Sequence, residues 1–295
     1  VKKQLDKRLH AYRPDRADMA LKGRVQAAEY VSGTPAVVAR PVMDLKVMPQ
    51  ESAEAGSQLL LGETVTVFDN ADGWSWVQAD RDRYVGYVPQ MGLSGITGSA
   101  THIVTVPRTF IYSMADLRSP AETACSMGSR LTVAEMTETR GTAYAIMPDG
   151  SALIAAHLHP LGFQFDDYVS VASMFLETPY LWAGKSAFGF DCSGLVQLAM
   201  LMCGRSVERD SDMQATSIGA PVEAGRDGLQ RGDLVFWSGH VGIMEDAGTM
   251  IHASGHAMRV VREKLSDAID RIAHLYGMPT AYRRPLVSVG HDIGR

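Results

Sequence analysis

From Cys192 to Gly204 the chain reads CSGLVQLAMLMCG, apolar on nearly every face of a helix. A helix that is hydrophobic all round must be buried all round. It is also too short to cross a bilayer, which takes ~20 apolar residues. It therefore demands a domain folded around it, and Gly204 is a natural stop. Just upstream, GFD (Gly189–Asp191) sets an acidic side chain where an N-cap stands, with Cys192 in the first helical turn. Cys203, deep in the apolar run, reads as packing.

The surroundings of this helix are mixed. DDYVSVASMFLE (Asp166–Glu177) carries apolar residues at Val169, Ala172, Phe175 and Leu176, a helical period, with Asp166 or Asp167 as its cap. Downstream, DLVFW (Asp233–Trp237), HVGIM (His240–Met244), MIHAS (Met250–Ser254) and MRVV (Met258–Val261) alternate with turn residues. Residues 161–295 are therefore expected to form an α+β domain, helices first and an antiparallel meander after.

The region before it has a different texture. ETVTVF (Glu63–Phe68), WSWVQA (Trp74–Ala79) and YVGYV (Tyr84–Val88) are short β-type runs separated by turn chemistry. The pattern recurs: AEAGSQLLLGETVTVFD (Ala53–Asp69) resembles AETACSMGSRLTVAE (Ala121–Glu135), and AYAIM and SALIAAHL fall where WSWVQA and YVGYV would. Two copies of one small β-barrel follow, 37–98 and 99–160, with a seam in the glycine-containing stretch 92–100. Residues 1–36 are polar and charged, an arm expected to pack against something larger. The full length of 295 residues accommodates about two or three domains.

Charge and cysteine usage exclude several functions. Net charge is −5, with no Lys/Arg run to track a phosphate backbone, so nucleic acid is a poor partner. No stretch approaches a membrane span. The early lysines have no apolar segment behind them, so a secretory signal is not expected and the location expected is cytoplasmic; the first residue is Val, which leaves removal of a leader open. Three cysteines (Cys125, Cys192, Cys203) without C-x-x-C suit a reducing compartment and argue against a disulfide framework or a zinc ribbon.

Cys192 has the setting of a nucleophile. A helix N-terminus favours a thiolate, and its free N–H groups suit an oxyanion, while Asp191 opposes that field. A thiolate needs an imidazole partner. A hairpin with its turn centred near Asp246 sets His240 directly opposite His252, with Cβ atoms about 5 Å apart, a base with its orienter. A metal site at His252/His256 or His157/His159 fits less well, because MIHASGHAM (Met250–Met258) reads as strand–turn–strand and no H-E-x-x-H is present.

TPYLWAGKSAFGFDCSGLVQ, RGDLVFW, HVGIM and MIHAS resemble the successive motifs of the NlpC family of papain-like bacterial cell-wall cysteine peptidases. The resemblance covers about Tyr168 to Tyr282. It implies Cys192 as nucleophile, His240 as base and His252 as orienter, with the Tyr180 hydroxyl beside the nucleophile as an oxyanion donor. Trp182 is implied as a wall of the cleft or as core. Asp191 and Ser193 are implied as contacts of the D-glutamyl unit or the residue before it. RDSDMQ (Arg209–Gln214) resembles a block whose Asp and Ser, here Asp210 and Ser211, line the pocket for the substrate's leading end. Ser211 with Gln214 also fits a helix capping box. One departure stands in LWAGKS, where Ala183 replaces a family glycine. The barrels resemble bacterial SH3-like domains. In a subgroup of the family the first closes the cleft, with a Glu and a Tyr meeting the amine of an N-terminal L-alanine; these correspond to Glu54 and Tyr84. The second barrel has Glu122 and Ala152 at those places and is expected to be scaffolding.

The fold expected is thus multidomain, two all-β SH3-like barrels followed by an α+β papain-like catalytic domain. The function expected is hydrolysis of the γ-D-glutamyl–L-diamino acid (diaminopimelate) bond in short murein peptides with a free N-terminal L-Ala, in cell-wall recycling. No metal, organic cofactor, nucleic acid or membrane is called for, and oligomeric state stays open. The alternatives are a secreted hydrolase of intact wall and a thioester-forming acyltransferase of the same fold.

Overall fold

The computed structural model describes residues 5–96 and 98–286. Residues 1–4 of the expected arm, 97 in the seam and 287–295 lie outside the described residues.

The first β unit is a seven-stranded sheet in the spatial order Ala55–Leu60, Val42–Lys46, Val85–Pro89, Trp74–Ala79, Thr64–Ala71, Thr34–Val38 and Leu93–Ser94. It begins at Thr34, ahead of the expected 37, because Thr34 pairs with Val67. The second unit follows the same order: Ala121–Ser126, Arg108–Tyr112, Ala152–Ile154, Thr142–Ile146 and Glu135–Thr139, with a smaller sheet of Arg130–Leu131, His102–Val104 and Leu158–Pro160. Both place a two-residue hairpin at the same point of that order. Asp72–Gly73 and Arg140–Gly141 all have positive φ, the geometry that matches the twist of paired strands. The N-terminal segment lies on the first unit. Ala11 is buried with Phe68 and Trp76, the Arg13 guanidinium sits 4.3 Å from the Trp76 ring centroid, and Gln78 Nε2 donates to Leu9 O at 2.8 Å.

The third unit is a six-stranded sheet ordered Ala220–Pro221, Ala281–Arg284, Leu234–Trp237, His240–Met244, Thr249–Ser254 and Arg259–Lys264. Strand residues alternate between its two faces. Leu234, Phe236, Val241, Ile243, Ile251 and Val260 pack with helices α1 (Tyr168–Ser173) and α2 (Cys192–Leu201). Val235, Trp237, Met244 and Met250 pack with the helix Leu265–Tyr276. Neither that helix nor the strand Ala281–Arg284 was anticipated from the sequence.

Helix α2 is buried along almost its whole length. Each Leu or Val buried there contributes ~1.5–3 kcal/mol, which outweighs the absence of an amphipathic stripe. Leu60 of the first β unit and Ile103 and Met127 of the second belong to the same cluster, so both units pack on the helix domain. Asp191 caps α2, its Oδ1 accepting from Gly194 N at 2.7 Å. Gly194 has no substitute, since a Cβ there would lie 2.1 Å from Gly184 O.

Arg209 ties these parts together and is 1 % exposed. Its Nη1 and Nη2 donate to Asp191 Oδ1 and Oδ2 at 3.0 and 2.7 Å, its Nη1 to Ser193 Oγ at 2.9 Å, and its Nε to Ser57 Oγ of the first β unit at 3.1 Å. Arg209→Met would leave Asp191 buried without its counter-charge, a loss of ~3–5 kcal/mol. The urea midpoint, followed by tryptophan fluorescence, is expected to fall accordingly, and Asp191→Leu in the same chain to recover part of the loss. An unchanged midpoint in the single variant contradicts the role given to this pair.

Candidate active site

Cys192 is the first residue of α2 and 7 % exposed. Its own N–H has no acceptor within the helix. The Sγ lies 3.9 Å from Gly239 O, and the N–H groups of Val241 and Ser193 favour its ionised form. Gly239 and Val241 flank His240, so the sulfur sits against the turn that carries the imidazole.

The hairpin register differs from the expected one. Ile243 faces Ile251 and Met244 faces Met250, so His240 and His252 are diagonal neighbours and not directly opposed. Asp246 explains the shift: its Oδ1 accepts from Gly248 N and Thr249 N, both at 2.8 Å, and moves the turn centre past Asp246. A shift of two residues keeps side chains on the same face. The two rings still meet, with His240 Nε2 and His252 Nδ1 joined by a 2.8 Å hydrogen bond.

Two residues that the sequence analysis missed extend this chain. His252 Nε2 is 3.0 Å from Glu263 Oε2 on the neighbouring strand Arg259–Lys264. Arg271, on the helix Leu265–Tyr276, donates to both Glu263 oxygens at 3.1 and 2.6 Å. Their signal was present in the sequence. Leu265, Ala268, Ile269 and Ile272 follow a helical period that places Arg271 about two turns along a helix beyond the MRVV strand run.

Electrostatics in the site correct one expectation. Burial, with a smaller contribution from Asp191, pushes the Cys192 thiol up to about 12 against the lowering by backbone N–H groups and Arg209. Burial, with His252 and Arg271, pushes His240 down to about 3. Desolvation therefore works against the helix N-terminus, and burial disfavours the charged form of both groups, against the thiolate expected from the helix start. Tyr180 is raised above the ordinary tyrosine value chiefly by burial, with any Cys192 thiolate and Asp191 acting the same way, so its hydroxyl stays protonated as a donor.

The remaining predicted residues fall into three groups. Asp191 and Ser193 are buried and bonded to Arg209, and Ser193 Oγ also donates to Asp191 Oδ1 at 3.3 Å, so their polar atoms are already engaged inside the protein. Asp210 and Tyr84 come together: the Tyr84 hydroxyl donates to Asp210 Oδ2 at 3.0 Å, and Tyr84 is buried. Arg8, from the N-terminal segment and unforeseen, donates to Asp210 Oδ2 at 2.8 Å and also pairs with Asp6 and Asp212. Ser211 is the first residue of helix α3 (Ser211–Ser217) and not its cap. The cap position is Asp210, whose side chain turns outward to Tyr84 and Arg8, and the expected capping box is not formed. Gln214 instead donates to Ser193 O at 3.1 Å and Glu208 O at 2.8 Å. Glu54 is exposed and its side chain makes no hydrogen bond among the described residues. Trp182 is 62 % exposed, which removes the core alternative for it. Ala183, in place of the glycine, is buried at φ 61°. An L-residue in that left-handed conformation costs ~1–2 kcal/mol. Among the described residues no group of three or more His, Cys, Asp or Glu side chains is placed to hold a metal ion.

Comparison with known proteins agrees with this geometry. Residues 177–272 match the NlpC/P60 family, and residues 47–93 match the bacterial dipeptidyl-peptidase Sh3 domain. The chain is 28 % identical over 248 residues to a protein of Bacillus cereus named gamma-D-glutamyl-L-lysine dipeptidyl-peptidase, covering 72 % of this chain and 71 % of that protein. It is 27 % identical over 240 residues to dipeptidyl-peptidase 6 of Lysinibacillus sphaericus, covering 74 % and 87 %. Its fold superposes on the crystal structure of an NlpC/P60 family protein from Bacillus cereus with TM-score 0.71 at 23 % identity, covering 86 % of this chain and 100 % of that one.

A neutral resting thiol has a measurable consequence. Because Cys192 is raised above its ordinary value, its thiolate fraction is small at neutral pH and grows as pH rises. Iodoacetamide alkylation of Cys192 in the free protein, read by mass spectrometry, is expected to accelerate from pH 7 through pH 9 without a plateau. A rate already flat between pH 5 and 7 would show a preformed thiolate–imidazolium pair.

Proposed function

We propose that this chain, an SH3-like domain followed by an NlpC/P60 domain, is a cysteine peptidase that cuts the γ-D-glutamyl–L-diamino acid bond of short murein peptides with a free N-terminal L-Ala. The observation that carries the chemistry is Cys192 at the start of α2, set against the turn bearing His240, whose ring is bonded to His252. The names of the two relatives support the substrate class.

The reaction follows from these groups. The Sγ–H proton passes to His240 as sulfur bonds to the γ-carbonyl carbon and the C=O pair moves to oxygen. The oxyanion takes hydrogen bonds from the Cys192 N–H and the Tyr180 hydroxyl. When that pair returns, the C–N bond breaks and His240 gives its proton to the leaving amine. Water, deprotonated by His240, then cleaves the thioester and restores the thiol.

The leading end of the cleft supports selection for a free amine. Burial holds the Asp210 carboxyl above its ordinary value even with Tyr84 and Arg8 bonded to it. The Arg8 charge is answered first by Asp212 and Asp6. Asp210 is thus a partly desolvated carboxylate that a further cation stabilises, and the L-Ala ammonium is such a cation. A free amine points to released fragments as substrate and so to recycling. The same strand order in the second β unit supports a second SH3-like barrel with a scaffolding part.

The experiment is mass spectrometry of products from L-Ala-γ-D-Glu-diaminopimelate and its L-lysine counterpart, beside intact sacculi. Release of L-Ala-γ-D-Glu is expected from the free peptides, and none with Cys192→Ala. N-acetylating the L-Ala is expected to lower kcat/KM ~10–150-fold, the scale of one charged hydrogen bond. Activity on sacculi alone defeats the recycling assignment, and transfer to an added amine in place of hydrolysis defeats the peptidase.

A further inference from the structure

We propose that Glu263 is a positioning residue that fixes the tautomers of both histidines, so that Nδ1 of His240 is the nitrogen that takes the Cys192 proton. The argument is one of donors and acceptors along a single row of side chains.

It starts at Arg271. A guanidinium only donates, and it reaches both oxygens of Glu263. A carboxylate held this way is ionised and only accepts; its carboxyl lies well below the ordinary value, about 2, despite partial burial. The hydrogen bond between Glu263 Oε2 and His252 Nε2 therefore needs its proton on His252 Nε2. Burial keeps His252 neutral, which leaves its Nδ1 as a lone pair. The 2.8 Å bond from that Nδ1 to His240 Nε2 then needs its proton on His240 Nε2. Neutral His240 has one proton, so its Nδ1 is unprotonated. A base with the opposite tautomer would present N–H to the thiol and accept nothing.

The same row supports His240 once it is protonated. Glu263 favours the imidazolium from two hydrogen bonds away, while His252 and Arg271 oppose it. The titratable and charged groups acting on the two imidazoles are each other, Glu263 from the adjacent strand and Arg271 from the helix Leu265–Tyr276, while the Cys192 sulfur lies against Gly239 O, next to His240 in the chain. The Trp237 ring, 5.7 Å from His240, closes the remaining side without charge. Removing the Glu263 charge therefore makes His240 a weaker base. A glutamine in its place can also donate to His252 Nε2, which reverses both tautomers.

The test has an arm that needs no substrate and an arm that rests on the peptidase assignment. In the first, ¹⁵N-histidine NMR of the wild-type chain reads which ring nitrogens carry protons at pH 7. His240 and His252 are both expected as Nε2–H with Nδ1 bare, and Glu263→Gln is expected to move signal toward Nδ1–H. A wild-type His240 with Nδ1–H overturns the proposal whatever the substrate. In the second, Glu263→Gln is expected to lower kcat ~10–100-fold with KM nearly unchanged, and to move the acid limb of the kcat/KM profile to lower pH, with Glu263→Asp restoring part of both. A rate loss that follows the fall in Tm, with the acid limb unmoved and no recovery in Glu263→Asp, overturns it as well. Glu263→Asp keeps the carboxylate, so the test survives if Glu263→Gln does not fold. Normal tautomers with no hydrolysis in the wild type would count against the peptidase assignment and leave Glu263's role standing.

Discussion

The buried pair of Arg209 and Asp191 is the contact on which the rest depends. Asp191 has two duties that only a neutralised carboxylate can combine. It caps α2 through Gly194 N, and it stands beside the sulfur of Cys192. Without Arg209 its charge would lie buried next to the position where a thiolate must form. Arg209 answers that charge with two parallel hydrogen bonds and uses its Nε on Ser57 of the first β unit. The first β unit is thereby fastened to the nucleophile helix through one guanidinium. Gln58, Asp82 and Lys185 repeat the theme nearby: Gln58 Oε1 accepts from Lys185 N at 3.1 Å and Asp82 Oδ2 from Gln197 Nε2 at 3.0 Å. Replacing such a network by apolar groups costs little in principle. Its value here is orientation, because it fixes the first β unit against α2 and the residues around it.

That burial has a price in reactivity, and the site's design follows from it. Desolvation favours the neutral forms of both Cys192 and His240, so the charged pair has to be stabilised by what binds there. A neutral thiol is also a poorer target for oxidants than a thiolate. The arrangement then depends on a correctly placed lone pair, since a neutral imidazole is a base on one nitrogen only. The row running from Arg271 through Glu263 and His252 supplies that constraint by hydrogen bonding, from two strands of the sheet and the helix packed on its other face from α2.

What the sequence made legible was local or periodic. The Cys192 helix, its Asp191 cap and the shared face of His240 and His252 follow from spacing and from the alternation of a strand. The two β regions were visible from their short strand runs, and the structure adds a shared strand order and the positive-φ turns at Asp72–Gly73 and Arg140–Gly141. The histidine register was misplaced because a side chain, Asp246, sets the turn, and spacing does not reveal which N–H groups a carboxylate will cap. Ser211 with Gln214 imitates a capping box, yet Asp210 takes the cap position and turns its side chain away. Ser57 with Arg209, and Arg8 with Asp210, join residues far apart in the chain, and no local pattern announces them.

Arg8 is the long-range contact with most bearing on the proposed specificity. Asp6, Asp210 and Asp212 converge on a single guanidinium, so the cluster keeps an excess of negative charge. The guanidinium is not shared evenly. Asp212 engages it with both oxygens and Asp6 binds it from the same segment, whereas Asp210 receives one bond and is the most deeply enclosed of the three. Arg8 therefore ties the N-terminal segment to the start of helix α3 and leaves the Asp210 carboxylate only partly answered. If the L-Ala ammonium of the proposed function binds Asp210 beside Tyr84, it gains from a desolvated partner, while a longer peptide has to displace the segment and break its ties to Asp212. In the proposed function the same contact thus favours an ammonium and excludes a continuing chain, and the N-terminal segment becomes part of the substrate site instead of a tether to it.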